Sequence, residues 1–162
     1  MAKGGLKVYL WLGLTLLVFL LDQLTKQLVI QNMELYQSIE LMPFFKLYHV
    51  HNYGAAFSFL SDQSGWQRWF FSIVTSLISV GILFWLSRLR ASQKLLIIAL
   101  TLILGGAFGN LYDRLVYGYV VDFIDWYVGS YHWPAFNIAD AAISIGAGLL
   151  ILDTFLNPEK PG

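Results

Sequence analysis

Cysteine is absent from all 162 residues. That excludes disulfides, a thiolate nucleophile and a thiolate metal site, and it leaves the redox character of the compartment unread. Charge is also scarce. Only 12% of residues are Asp, Glu, Lys or Arg, ten acidic against ten basic, so there is no electrostatic footprint for nucleic acid. Histidine occurs three times, and no H-E-x-x-H pattern supports metal hydrolysis. Neither a G-x-S-x-G elbow nor the G-x-G-D motif of presenilin-type proteases is present, although Ser58 follows His51 closely. Internal repeats and low-complexity stretches are lacking too. No cofactor is called for.

Apolar residues are plentiful, at 57% of the chain, which is too many for a soluble domain of this size. Four segments approach the ~20 residues needed to cross ~30 Å of hydrocarbon. They run over about 8–30, 69–86, 95–112 and 136–156, and the chain reads as one membrane domain over 1–162. The first resembles a secretory signal, with Lys3 and Lys7 ahead of an apolar core. It lacks a small-residue cleavage site and ends in Asp22-Gln23-Leu24-Thr25-Lys26, so it reads as an uncleaved anchor. Lys3, Lys7, Arg88, Arg90, Lys94 and Lys160 place both termini and the 87–94 loop in the cytoplasm by the positive-inside rule. The 31–68 and 113–135 segments then face outward. In the first, residues 44–51 favour strand, Asn52-Tyr53-Gly54 reads as a turn, and residues 55–60 are apolar enough to rest on the bilayer. The second is rich in Tyr and Trp and is expected to lie along the membrane surface.

Against this background the carboxylates stand out. An Asp at a helix centre costs roughly 2.5–3.5 kcal/mol to insert, so an acid kept at membrane depth is functional by default. Asp140 lies about one turn into the fourth span, and Asp122 lies eighteen residues before it. If the chain between them leaves the membrane and returns, both can reach one site. Two carboxylates ~4 Å apart at an effective dielectric of ~20 repel by ~4 kcal/mol, which raises one pKa by roughly three units. One acid then keeps its proton while the other is ionised, as acid–base hydrolysis requires. The plainer alternative makes Asp140 an isolated helix cap and Asp122 a loop carboxylate. Asp125 competes with Asp122: on a strand the two face opposite sides, on a helix they share a face.

Other polar residues have mostly structural readings. Asp22 and Lys26 are spaced for an i,i+4 ion pair in the favourable order. Asn110, Asp113 and Arg114 close the third span. Asp113 can pair with Arg114 or face water, and Arg114 can bind a carboxylate, phosphate or carbonyl. Asn52 and Asn137 can orient amides. Gly105 and Gly109, with Ala141, Ala142, Gly146 and Gly148, mark close helix approaches. From composition alone, a proton-coupled transporter, a lipid-handling protein and a non-catalytic scaffold remain open.

The motifs together resemble bacterial lipoprotein signal peptidase, the type II signal peptidase. The matching runs are Asp22-Gln23-Leu24-Thr25-Lys26, Asn52-Tyr53-Gly54-Ala55-Ala56-Phe57-Ser58, Gly105 through Arg114, Val120-Val121-Asp122-Phe123-Ile124-Asp125, and Phe136-Asn137-Ile138-Ala139-Asp140. They occur in order on a four-span chain and cover nearly its whole length. The resemblance implies a mainly α membrane fold, N-in and C-in, with four transmembrane helices, a small extracytoplasmic β-cradle and a surface helix. It implies an aspartyl endopeptidase of the bacterial inner membrane, with its active site on the periplasmic side. Such an enzyme cuts prolipoproteins just before a diacylglyceryl-modified cysteine. Asp122 and Asp140 match the catalytic pair. Asn52, Gly54, Asn110, Arg114 and Asn137 match residues lining the site, and Asp22 and Lys26 match a supporting pair. Implied partners are the prolipoprotein, membrane phospholipid and globomycin-type inhibitors, bound by a monomer.

Overall fold

The computed structural model describes residues 10–54 and 65–157. Its four long helices are α1 (Leu12–Asn32), α2 (Trp66–Arg88), α3 (Lys94–Val116) and α4 (Ile138–Leu156), each apolar enough to cross a membrane. At about 1.5 Å per residue their 19 to 23 residues reach roughly 28–35 Å, the thickness of the hydrocarbon layer. Their outer faces carry exposed leucine, isoleucine and phenylalanine, such as Leu20, Leu24, Leu77, Phe84, Ile151 and Phe155. Such a surface suits lipid and would be a liability in water.

Helix α3 packs against the other three and carries much of the buried core. Its glycines explain how. A Cβ on Gly105 would fall 2.7 Å from Val18 of α1, and one on Gly106 would overlap the Ala139 carbonyl of α4. On α4, Gly146 sits equally close to the Ala99 carbonyl. Small residues thus let backbones approach where lipid provides no hydrophobic drive between helices. Ile82 and Leu86 of α2 fill in against Ile97, Leu100 and Leu104 of α3.

The two extramembrane segments meet in one antiparallel sheet of order β1-β2-β3-β4. Its strands are β1 (Ser38–Met42), β2 (Phe45–Asn52), β3 (Val120–Val128) and β4 (Tyr131–His132). The strand expected over 44–51 is therefore β2. Within the 113–135 segment, residues 120–128 pair with β2, with Val50 opposite Asp122 and Lys46 opposite Asp125. Val121 and Phe123 are buried with Val29 and Met33 at the end of α1. The β-branched and aromatic residues there suit a strand and have an adjacent one to join. Trp126, Tyr131 and Trp133 stay exposed.

Helix bounds shift slightly as well. Helix α3 continues through Asp113 and Arg114 to Val116, because Asp113 finds a partner inside the protein. Helix α4 starts at Ile138 rather than 136, since Phe136 bridges to Ile124 and Asn137 caps the helix. Among the described residues no helix lies outside these four. The expected N-terminal lysines and the apolar 55–60 run fall outside the described residues, and so does any surface helix they contain.

Candidate active site

Asp122 sits on the inner face of β3 and is almost completely buried. Its Oδ2 accepts from Asn52 Nδ2 at 2.9 Å, and its Oδ1 accepts from Asn137 Nδ2 at 2.7 Å. Asn52 ends β2, and its own Oδ1 accepts from the Gly54 N–H at 2.9 Å. Gly54 has a φ of +101°, and a Cβ there would lie 2.7 Å from the Phe71 ring. Only glycine suits both demands. Gly54→Ala is therefore expected to disturb Asn52 and slow turnover about tenfold or more, by analogy with other small misplacements, with helix content by circular dichroism unchanged.

Asp140 is the third residue of α4 and closes a capping box with Asn137. The Asp140 N–H donates to Asn137 Oδ1 at 2.9 Å, and the Asn137 N–H donates to Asp140 Oδ2 at 3.2 Å. Asn110 Nδ2 donates to Asp140 Oδ1 at 2.7 Å. Asp140 is thus a helix cap, as the plainer reading held, but not an isolated one. One asparagine, Asn137, touches both Asp122 and Asp140. The structure brings Asn52, Gly54, Asn110 and Asn137 together around the two carboxylates.

Strand alternation separates Asp125 from this group. It faces the other side of β3, where Lys46 lies at 3.4 Å and His132 Nδ1 at 3.0 Å. Asp125→Asn is expected to leave turnover within about twofold of wild type while weakening the sheet slightly, a change readable in parallel kinetic and unfolding measurements.

A second polar cluster lies directly beneath. Lys26 Nζ is fully buried, 2.8 Å from both Asp22 Oδ2 and Asp113 Oδ2 and 3.0 Å from Asn110 Oδ1. The i,i+4 pair is present as expected, yet it is only part of the arrangement. Asp113 pairs with Lys26, not with Arg114 or water. It also accepts from Gln23 Nε2 at 2.9 Å and from the Val121 N–H at 3.2 Å. Asp22 Oδ1 accepts the Ala139 N–H at 2.9 Å, anchoring the first turn of α4, a favourable place for an anion. Asp113 and Gln23 were not singled out as site residues from the sequence. A single lysine flanked by one acid in a span already looks neutralised, so nothing local signals the second carboxylate. Arg114 donates to the Asn110 carbonyl at 3.3 Å and lies 5.3 Å over the Phe71 ring. Among the described residues it forms no ion pair.

Burial raises the Asp122 carboxyl to about 7, helped by the charge of Asp140 and opposed by the hydrogen bonds from Asn52 and Asn137 and by Lys26. A carboxyl that holds its proton near neutrality, beside a second carboxylate, supplies an acid and a base in one place.

A sequence model described as Signal peptidase (SPase) II matches residues 14–156. The chain belongs to the signal peptidase II family. Family members are aspartyl peptidases that remove signal peptides from prolipoproteins, and the chain is a multi-pass membrane enzyme of this kind. It is 59% identical to a lipoprotein signal peptidase of Alteromonas mediterranea over 98% of this chain and 85% of that one. It is 55% identical to one from Photorhabdus laumondii, over 93% of this chain and 90% of the relative. A bacterial membrane enzyme solved by the in meso method at 1.9 Å resolution superposes with a TM-score of 0.82 at 31% identity, over 99% of both chains. Membership of the family decides against the transporter and scaffold alternatives.

Proposed function

We propose that Asp122 and Asp140 are the catalytic pair, and that the bond cut is the one preceding a diacylglyceryl-modified cysteine. The observation that carries this reading is the bridging of both carboxylates by Asn137. The pair shares one proton. The ionised carboxylate takes a proton from water as the water oxygen attacks the scissile carbonyl carbon. The protonated carboxyl then gives its proton to the departing cysteine nitrogen as the C–N bond breaks. The products are a signal peptide with a new carboxylate and a lipoprotein with a free amino terminus. Asn52, Asn110 and Asn137 hold the carboxylates, Gly54 shapes the turn that places Asn52, and Arg114 is left to meet a substrate carbonyl. Asp22 and Lys26 support the site from below.

The chain works as a single domain and as a monomer in the bacterial inner membrane. Both termini are cytoplasmic and the sheet and site are periplasmic, in keeping with the lysine and arginine distribution. Phospholipid surrounds the helices, and the lipid tails of the substrate stay in the bilayer, which orients the peptide for attack. Globomycin-type lipopeptides compete for the same site.

The test is cleavage of a diacylglyceryl-modified prolipoprotein by the purified enzyme, with the unlipidated precursor in parallel. Wild type and Asp125→Asn should release the signal peptide from the lipidated substrate, and a globomycin-type lipopeptide should stop them. Cleavage that persists in Asp122→Asn or Asp140→Asn at normal protein levels would refute the pair. Equal cleavage of the unlipidated precursor would refute the lipid requirement.

A further inference from the structure

Three asparagines present their NH2 groups to the two carboxylates, and each is kept from turning by a donor on its own oxygen. For Asn52 the donor is the Gly54 N–H, and for Asn137 it is the Asp140 N–H. Both are backbone groups with fixed direction. For Asn110 the donor is Lys26 Nζ, at 3.0 Å. Asn137 Nδ2 gives one of its two hydrogens to Asp122 at 2.7 Å and divides the other between the Asn110 oxygen at 3.2 Å and the Val121 carbonyl at 3.3 Å, so Lys26 is the closer and the charged donor on Asn110. An amide is nearly symmetric in shape, so its orientation follows from its partners. An ammonium can only donate. With Lys26 in place, Asn110 must turn its oxygen downward and its NH2 toward Asp140.

We infer that Lys26 is a positioning residue of the reaction, one that acts through Asn110 to keep a hydrogen-bond donor on Asp140. The inference rests on the proposed catalytic pair. Asp22 and Asp113 hold the ammonium where it can do this, each at 2.8 Å. Without Lys26 the Asn110 amide can flip and present oxygen to oxygen. The ionised form of the pair then loses a charge-assisted hydrogen bond and is harder to form, so less of the base is present at a given pH. Among the described residues the charged groups around the pair are Asp22 and Lys26 from α1 and Asp113 and Arg114 from α3. Strand β2 adds the neutral Asn52, and α2 adds the apolar Phe71 beneath Arg114.

The test compares kcat, KM and the pH profile of cleavage in wild type and in Lys26→Met/Asp113→Asn, which removes the ammonium without changing the net charge of the cluster. Expected are a kcat lower by about 10- to 100-fold, a nearly unchanged KM, and an acid limb of the kcat profile about one pH unit higher. A purely structural role would lower the yield of folded enzyme and leave the limb where it was. In an Asn110→Ala background the same double change should have no further effect on kcat, because its route is gone. An unmoved acid limb, or losses that multiply with Asn110→Ala, would overturn the inference. If the double variant does not fold, Asn110→Ala alone must raise the acid limb, and an unchanged limb there overturns it equally. Activity surviving in Asp140→Asn would instead refute the catalytic pair itself.

Discussion

Asp122→Asn and Asp140→Asn should each lower cleavage by about 10⁴-fold or more, since each removes a proton-transfer partner and the two work as a unit. The double variant should be no slower than either single one, because nothing is left for the second change to remove. Asn52 and Asn137 hold Asp122, and Asn110 and Asn137 hold Asp140, so fold has to be followed alongside activity. A pH series makes the two separable. Burial and Asp140 raise the Asp122 carboxyl to about 7. A carboxyl raised on folding binds its proton more tightly in the native state, so wild-type stability should fall as pH rises from about 4 to about 7. In Asp122→Asn that slope should be shallower. In wild type, kcat/KM should follow a bell whose alkaline limb lies near pH 7, where the pair loses its shared proton. Detergent unfolding and initial rates across the same pH range check both statements. An Asp122→Asn protein that keeps the wild-type slope would mean that another group carries it.

Lys26→Met as a single change should destabilise the protein by about 3–5 kcal/mol, the range found when one partner of a buried ion pair is removed. Asp22 and Asp113 would then be buried together without a counterion. Asp22 also holds the Ala139 N–H, so the first turn of α4 is exposed to the damage. The loss should be smaller at pH 5 than at pH 8, because protonation relieves uncompensated carboxylates. Unfolding by sodium dodecyl sulfate at the two pH values would measure this. A loss below about 1 kcal/mol at pH 8 would place the cluster among surface-like ion pairs.

The spans were legible because two of them carry no charge at all, and β2 because its residues favour strand. The Asp22–Lys26 pair was legible because its partners are four residues apart on one helix. Asp113 was not, because its partner lies far upstream on another helix and no local pattern announces it. The choice between Asp122 and Asp125 also had to wait. It depends on whether residues 120–128 form a strand, and that depends on β2 being beside them. With β3 formed, alternation sends Asp122 to Asn52 and Asn137 and sends Asp125 to Lys46 and His132. The strand within the 113–135 segment was not legible for the same reason: its aromatic content describes where such residues like to sit, not which strand they will pair with.

The buried cluster also bears on how the protein is made. Helix α1 precedes the other three in the chain, so Asp22 and Lys26 are made before Asp113 and the Ala139 N–H that complete their contacts. During that interval the two side chains have only each other. Their spacing of one helical turn lets them neutralise one another within a single helix, so α1 can be inserted alone and wait. A lysine with its acid placed elsewhere in the chain would have no such protection. Assembly can then proceed in order of translation, with each later helix adding a contact to a pair that is already tolerable.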